Sequence, residues 1–138
     1  MGIITIKDEA ILFERRDETV LIEPYGDDCI RVRASKNSRL SDERWTLLEP
    51  VKAASCEISG DQKRATMKNG MVSVTVSTTN DWGGELVFKR EDRVILSTKN
   101  YGDYVMRYQH TEGDNYRIRY AFNANPGEHI YGLGQEQE

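Results

Sequence analysis

Apolar and polar residues alternate one by one along most of this chain. Met71 to Ser77 reads Met-Val-Ser-Val-Thr-Val-Ser, which places Val72, Val74 and Val76 on one face of a strand. Ile30 to Ala34 and Tyr116 to Tyr120 repeat the pattern, with arginines on one face and apolar side chains on the other. Lys63 to Lys68 leads into Asn69-Gly70, and an Asn-Gly pair between two strand-like runs predicts a two-residue hairpin turn. Further strands are expected at Ala10 to Arg15, Thr19 to Glu23, Ala53 to Ile58, Gly84 to Phe88, Arg93 to Ser97, Tyr104 to Gln109 and His129 to Tyr131.

Turn-forming residues separate these runs, at Pro24 to Asp28, Ser59 to Asp61, Asn80 to Gly83 and Glu112 to Asn115. One stretch, Ser38 to Leu48, has helical character, with Ser41 placed to cap a single turn. No amphipathic helix of ten residues is visible. About ten short strands joined by hairpin turns predict an all-β antiparallel sandwich, with Val72, Val74, Val76, Ile30, Val32, Ile118 and Tyr120 directed inward. Residues 1–138 are expected to form one domain. The chain stops at Gln135 to Glu138 just after a tight Gly-containing segment, so the sandwich is expected to be incomplete at its C-terminal end.

Composition narrows the function classes. The 138 residues carry 19 basic and 23 acidic side chains, a formal charge of −4, and the charges are scattered. That balance argues against nucleic acid as a partner. No run nears the ~18 apolar residues that a membrane span requires. Met1 to Lys7 shows no basic region followed by an apolar stretch, so no signal peptide is visible and a cytoplasmic location is expected. Cys29 and Cys56, the two cysteines, sit in strand-like apolar surroundings and read as buried thiols; a bridge between them would suit an oxidising compartment.

Little in the residues assembles a reaction centre. His110 and His129 are the two histidines available as bases, and no Gly-x-Ser-x-Gly elbow exists. His110, Glu112 and Asp114 lie at alternate positions, yet in a Gly113-containing turn where polar residues belong anyway, so no metal is expected. Asp27-Asp28 and Glu91-Asp92 are adjacent carboxylates whose side chains diverge on a strand, and turn roles explain them. The Arg31/Arg33 and Arg117/Arg119 stripes read as solvated sheet faces. Trp45, Trp82, Tyr101, Tyr104 and Tyr108 are aromatics able to present a platform to a sugar ring, with Trp82 and Tyr101 the main candidates. Gly132-Leu133-Gly134 lacks the third glycine and following helix of a dinucleotide site, and no cofactor is called for.

The run Pro126-Gly127-Glu128-His129-Ile130-Tyr131-Gly132-Leu133-Gly134-Gln135 resembles a Tyr-Gly-Leu-Gly-Gln stretch near the end of the N-terminal sandwich of glycoside hydrolase family 31. Val20 to Tyr25 followed by Cys29 to Arg33 resembles that family's early strand pair, and Asn69 to Val74 with Leu86-Val87-Phe88 resembles its next hairpin and strand. The resemblance implies a galactose-mutarotase-like N-terminal domain of a retaining α-glucosidase or α-xylosidase. It further implies that the two catalytic aspartates, about 5–5.5 Å apart in a retaining enzyme, belong to a (β/α)₈ barrel following the sandwich. This chain then carries no catalytic residue. Tyr131, Gly132, Leu133, Gly134 and Gln135 are expected to pack near that barrel, the two glycines allowing close backbone approach on either side of Leu133.

On this view the partners are the catalytic barrel of the same parent chain and the parent enzyme's oligo- or disaccharide substrate. An exposed edge left by truncation is expected to promote self-association. The alternative is a free-standing, non-catalytic carbohydrate-binding module that uses Trp82 and the tyrosines.

Overall fold

The computed structural model describes residues 2–16, 18–36, 40–41, 52–53, 55–78, 84–99, 108–110, 113 and 116–129. Eleven strands and no helix occur among them: β1 (Ile3–Lys7), β2 (Ala10–Arg15), β3 (Glu18–Pro24), β4 (Ile30–Ser35), β5 (Cys56–Gly60), β6 (Arg64–Asn69), β7 (Val72–Ser77), β8 (Glu85–Arg90), β9 (Arg93–Ser97), β10 (Tyr108–His110) and β11 (Tyr116–Ile118). The first four form one antiparallel sheet in the order β1-β2-β3-β4. The next five form a second in the order β5-β6-β7-β8-β9, and β10 and β11 form a two-stranded sheet among the described residues. Both larger sheets are meanders of sequential hairpins. The expected all-β antiparallel sandwich is what the chain forms.

Register turns the alternation into a core. Pairs such as Ile4↔Phe13, Phe13↔Val20 and Ile11↔Ile22 line one inner face. Ala65↔Val76, Met67↔Val74 and Val76↔Leu86 line the other. These ten residues are fully buried, and Ile30, Val32, Ala34, Cys56, Ile58 and Phe88 pack partly buried around them. Across the sandwich, β6 lies against β1 and β2, and β7 against β4. The outer face of the second sheet is polar, as the period of two demands, and Thr66 and Thr75 share a hydroxyl hydrogen bond of 2.9 Å there.

The largest core side chain, Phe13, fits because two glycines leave room for its ring. A Cβ on Gly2 would collide with one ring edge, and a Cβ on Gly84 would sit 2.7 Å from the other. Gly84 also holds φ +95°, where any other side chain is strained. Removing a buried aromatic of this kind costs about 3–5 kcal/mol.

The structure departs from the sequence reading at several points. β1 was not anticipated, because the doublet Ile3-Ile4 masks the alternation; Ile4 is buried while Ile3 and Ile6 are exposed. The hairpin turn is Gly70-Met71, not Asn69-Gly70. Asn69 pairs with Val72 as the last strand residue, and the positive φ of Gly70 alone matches a turn with glycine at its first central position. Ile118 and Tyr120 do not join the core: β11 belongs to the separate two-stranded hairpin, and Ile118 is 74% exposed and Tyr120 39%. The strand expected from Ala53 begins at Cys56. His129 lies outside any strand, and Ser41 is in no helix; most of 38–48 lies outside the described residues.

Candidate functional site

The most heavily built polar locus joins the two sheets at one end of the sandwich. Tyr25 to Cys29 form the turn between β3 and β4, closed by the Tyr25 amide donating to the Cys29 carbonyl at 3.0 Å. Gly26 and Asp28 adopt positive φ there, which bends the turn back over the second sheet. Below it Asn69, 1% exposed at the end of β6, donates its side-chain amide to the carbonyls of Gly26 and Cys29, both at 2.7 Å. Asp28 answers from the other side: its carboxylate accepts the Met71 amide at 2.6 Å. A Cβ on Gly70 would strike that carboxylate, so the hairpin turn and the acid fit only with glycine between them. The Met71 carbonyl in turn accepts the Glu91 amide of the β8–β9 turn at 2.8 Å. Three turns from two sheets are thus locked together.

The described acids with assigned contacts all serve the backbone or a neighbouring arginine. Asp61 accepts the amides of Lys63 and Arg64 at 2.7 and 3.0 Å. Those two bonds, helped by the Lys63 charge, hold its carboxyl below the usual range. Glu18 is buried against Arg15 at 3.1 Å, and Glu128 accepts the Asn125 amide at 2.9 Å. Glu23 binds Arg33 at 2.7 Å and Arg31 at 3.5 Å, while Arg33 also donates to the Ser41 carbonyl and Arg31 stacks on Tyr25. The Arg31/Arg33 stripe is therefore not a solvated face, as the alternation alone suggested. Both side chains are largely covered because Glu23, the register partner of Arg31, draws them down.

Cys29 is exposed, contrary to its reading as a buried thiol, because the turn points its carbonyl inward and leaves its side chain outside. Cys56 is half-buried and the two are not bridged. Burial, then the charges of Glu9 and Glu57, push the Cys56 thiol above its ordinary value.

At the far edge of the second sheet, the segment 121–125 runs antiparallel beside β9. Lys99 donates to Ala121 and Asn123 to Ser97 through the backbone, at 2.8 and 2.9 Å. The Asn123 side chain reaches Ser97 Oγ and the Thr98 carbonyl, and the Asn125 side chain reaches the Ile95 carbonyl. Thr98, fully buried, bonds Leu86 through its hydroxyl and bridges to Phe122.

The residues singled out from sequence are not gathered by this geometry. Tyr131, Gly132, Leu133, Gly134, Gln135, Trp82 and Tyr101 lie outside the described residues, as do Trp45, Tyr104, Glu112 and Asp114. His110 ends β10 and His129 lies on the exposed segment past Gly127. Among the described residues no three His, Cys, Asp or Glu side chains are grouped to hold a metal ion. Asn69 and Asp28, the centre of the polar locus, were read only as turn residues. The signal that could have found Asn69 is its place on the inner-facing register of β6, two residues after Met67.

Comparison with known proteins agrees with this architecture. A solved GH31 α-xylosidase from a soil metagenome, complexed with xylose, superposes with a TM-score of 0.79 over 98% of this chain and 22% of its own, at 22% identity. A protein of Pseudescherichia vulneris described as an uncharacterized family 31 glucosidase is 27% identical over 144 residues, 91% of this chain and 27% of its own. Residues 19–138 match the family described as the glycosyl hydrolase 31 N-terminal galactose mutarotase-like domain, and the chain belongs to that family. It spans about a quarter of the length of these two relatives.

Proposed function

We propose that this chain is the accessory N-terminal sandwich of a retaining α-glycosidase acting on α-glucosides or α-xylosides. It supports a catalytic barrel supplied by the same parent polypeptide and helps to frame that barrel's substrate pocket. The observation that carries the reading is the family match over residues 19–138, on a chain only about a quarter as long as its relatives.

The gene itself supplies the test. Reading the frame downstream of codon 138 should show several hundred further codons with alternating strand and helix patterns and two aspartates at strand ends. A stop codon directly after Glu138 in the native gene would refute the reading.

A further inference from the structure

We infer that a cleft between β1 and the β5–β6 turn binds a neutral oligosaccharide, built from the α-linked glucose or xylose on which the parent enzyme acts. The site follows from geometry, whereas the choice of sugar rests on the reading just proposed. At this corner of the sandwich the Ile4 amide of the first sheet donates to the Gln62 carbonyl of the second, at 3.3 Å. Beside that bond lies an open cleft of about 400 Å³, lined among the described residues by Gly2, Ile3, Asp61, Gln62, Lys63 and Thr78. Small-ligand sites occupy roughly 300–1,000 Å³. A second cleft of about 210 Å³ shares Asp61 and Gln62 and continues past Ile4, Thr5 and Ile6. From Ile3 to Ile6 the strand runs about 10 Å, so the two clefts together suit a disaccharide or a longer chain rather than one ring.

The polar groups here are oriented but not satisfied by the protein. Asp61 uses one carboxylate oxygen, Oδ1, for the Lys63 and Arg64 amides. Those bonds fix the side chain and hold it ionised, while Oδ2 has no partner among the described residues. The side chains of Gln62 and Lys63 are exposed and likewise without a partner there. The Thr78 hydroxyl donates to the Lys63 carbonyl at 3.2 Å and keeps its lone pairs for a second bond. The lining therefore offers donors from Lys63 and Gln62, and acceptors from Asp61, Gln62 and Thr78. Sugar hydroxyls match that mixture because each both donates and accepts. One ammonium beside one carboxylate leaves the cleft without net charge, which argues against a phosphate or carboxylate ligand. Ile3, 54% exposed, and Ile6, 40% exposed, add apolar surface for the C–H faces of sugar rings.

The walls are already in place. The Asp61 amide donates to the Arg64 carbonyl and the Thr78 amide to the Lys63 carbonyl, both at 2.8 Å, so the turn is tied to itself and to the end of β7. β1 is held by its pairing with β2 from Ile3 to Lys7. Little ordering then opposes binding, and even weak hydroxyl contacts register as affinity.

The test uses the full-length parent protein, with maltotriose and an α-xylosyl disaccharide as probes and sorbitol as the control polyol. Hydrogen exchange read by mass spectrometry follows peptides covering residues 2–7 and 60–64. At least one of the two sugars should slow exchange in both peptides, and sorbitol at equal hydroxyl concentration should not. A Gln62→Ala, Lys63→Ala double variant, altered only at exposed side chains, should weaken that protection by about tenfold in ligand concentration. No slowing by either sugar, in a parent that turns over aryl α-glucosides or α-xylosides, would overturn the inference and leave the proposed function standing. Equal slowing by sorbitol, or protection undiminished in the double variant, would overturn it as well. A parent inactive on both substrate classes would refute the proposed function and, with it, the choice of sugar made here.

Discussion

The side-chain amide of Asn69 lies 2.7 Å from the carbonyl oxygen of Cys29, and with that bond the second sheet holds the β3–β4 turn of the first. Two sheets packed through apolar faces can slide, because hydrophobic contact is not directional. A buried amide spanning the gap fixes one relative position. The Asp28 carboxylate on the Met71 amide repeats the constraint in the opposite direction, from first sheet to second.

Asn69→Ala should therefore destabilise the domain by about 1–3 kcal/mol, since it removes the side-chain donor of the Gly26 carbonyl and leaves the Cys29 carbonyl with the Tyr25 amide alone. Asn69→Asp keeps the size but replaces the donors with a carboxylate facing two carbonyl oxygens, and should be at least as damaging at neutral pH. Urea unfolding followed by tryptophan fluorescence measures both. A loss below about 0.5 kcal/mol for the alanine variant would show that the bond is incidental.

Gly84→Ala should destabilise by about 2–3 kcal/mol, from positive-φ strain together with collision against Phe13. The two contributions separate in a double-mutant cycle. In a Phe13→Leu background the collision is relieved and the strain remains, so the same substitution should be milder there. Equal losses in both backgrounds would deny the slot that Gly84 provides for the ring.

Asp61 makes a pH-dependent contribution of defined sign. Its folded carboxyl is held below the ordinary aspartate range by the Lys63 and Arg64 amides. The stability it adds is present above the unfolded value, about 3.9, and disappears as pH falls through the lower folded value. NMR titration should show the Asp61 carboxyl resonance moving at lower pH than an ordinary aspartate. In Asp61→Asn the corresponding loss of stability on acidification should be absent.

The thiols should react in order. Cys29 is exposed and Cys56 is half-buried with its thiol raised, so alkylation at pH 8 should modify Cys29 first. Raising the pH should accelerate Cys56 beyond the range where an ordinary thiol has already levelled off. Mass spectrometry of peptides across a time course reads both effects.

Much of the sandwich was legible because a period of two says which side chains share a face, as at Val74 and Val76. The same pattern cannot say whether a second layer covers that face. That is why Ile118 and Tyr120, read as inward, are exposed: their alternation is real, but no described strand lies over them. β1 was missed since three isoleucines within four residues blur the alternation. The role of Asn69 was hidden for a different reason. An Asn-Gly pair signals a turn through local backbone preference, whereas burial of the amide depends on Gly26 and Cys29, some forty residues earlier in the chain. The Arg31/Arg33 pairing with Glu23 had a similar origin, in strand register that sequence spacing does not show.

The most direct test of the central claim is enzymatic. The purified 138-residue chain and the full-length parent protein are assayed side by side on aryl α-glucosides and aryl α-xylosides. The account predicts no product above the buffer blank from the 138-residue chain, and turnover of at least one substrate, with retention of anomeric configuration, from the parent. Turnover by the 138-residue chain that survives repurification, or a parent protein inactive on both substrate classes, would contradict it.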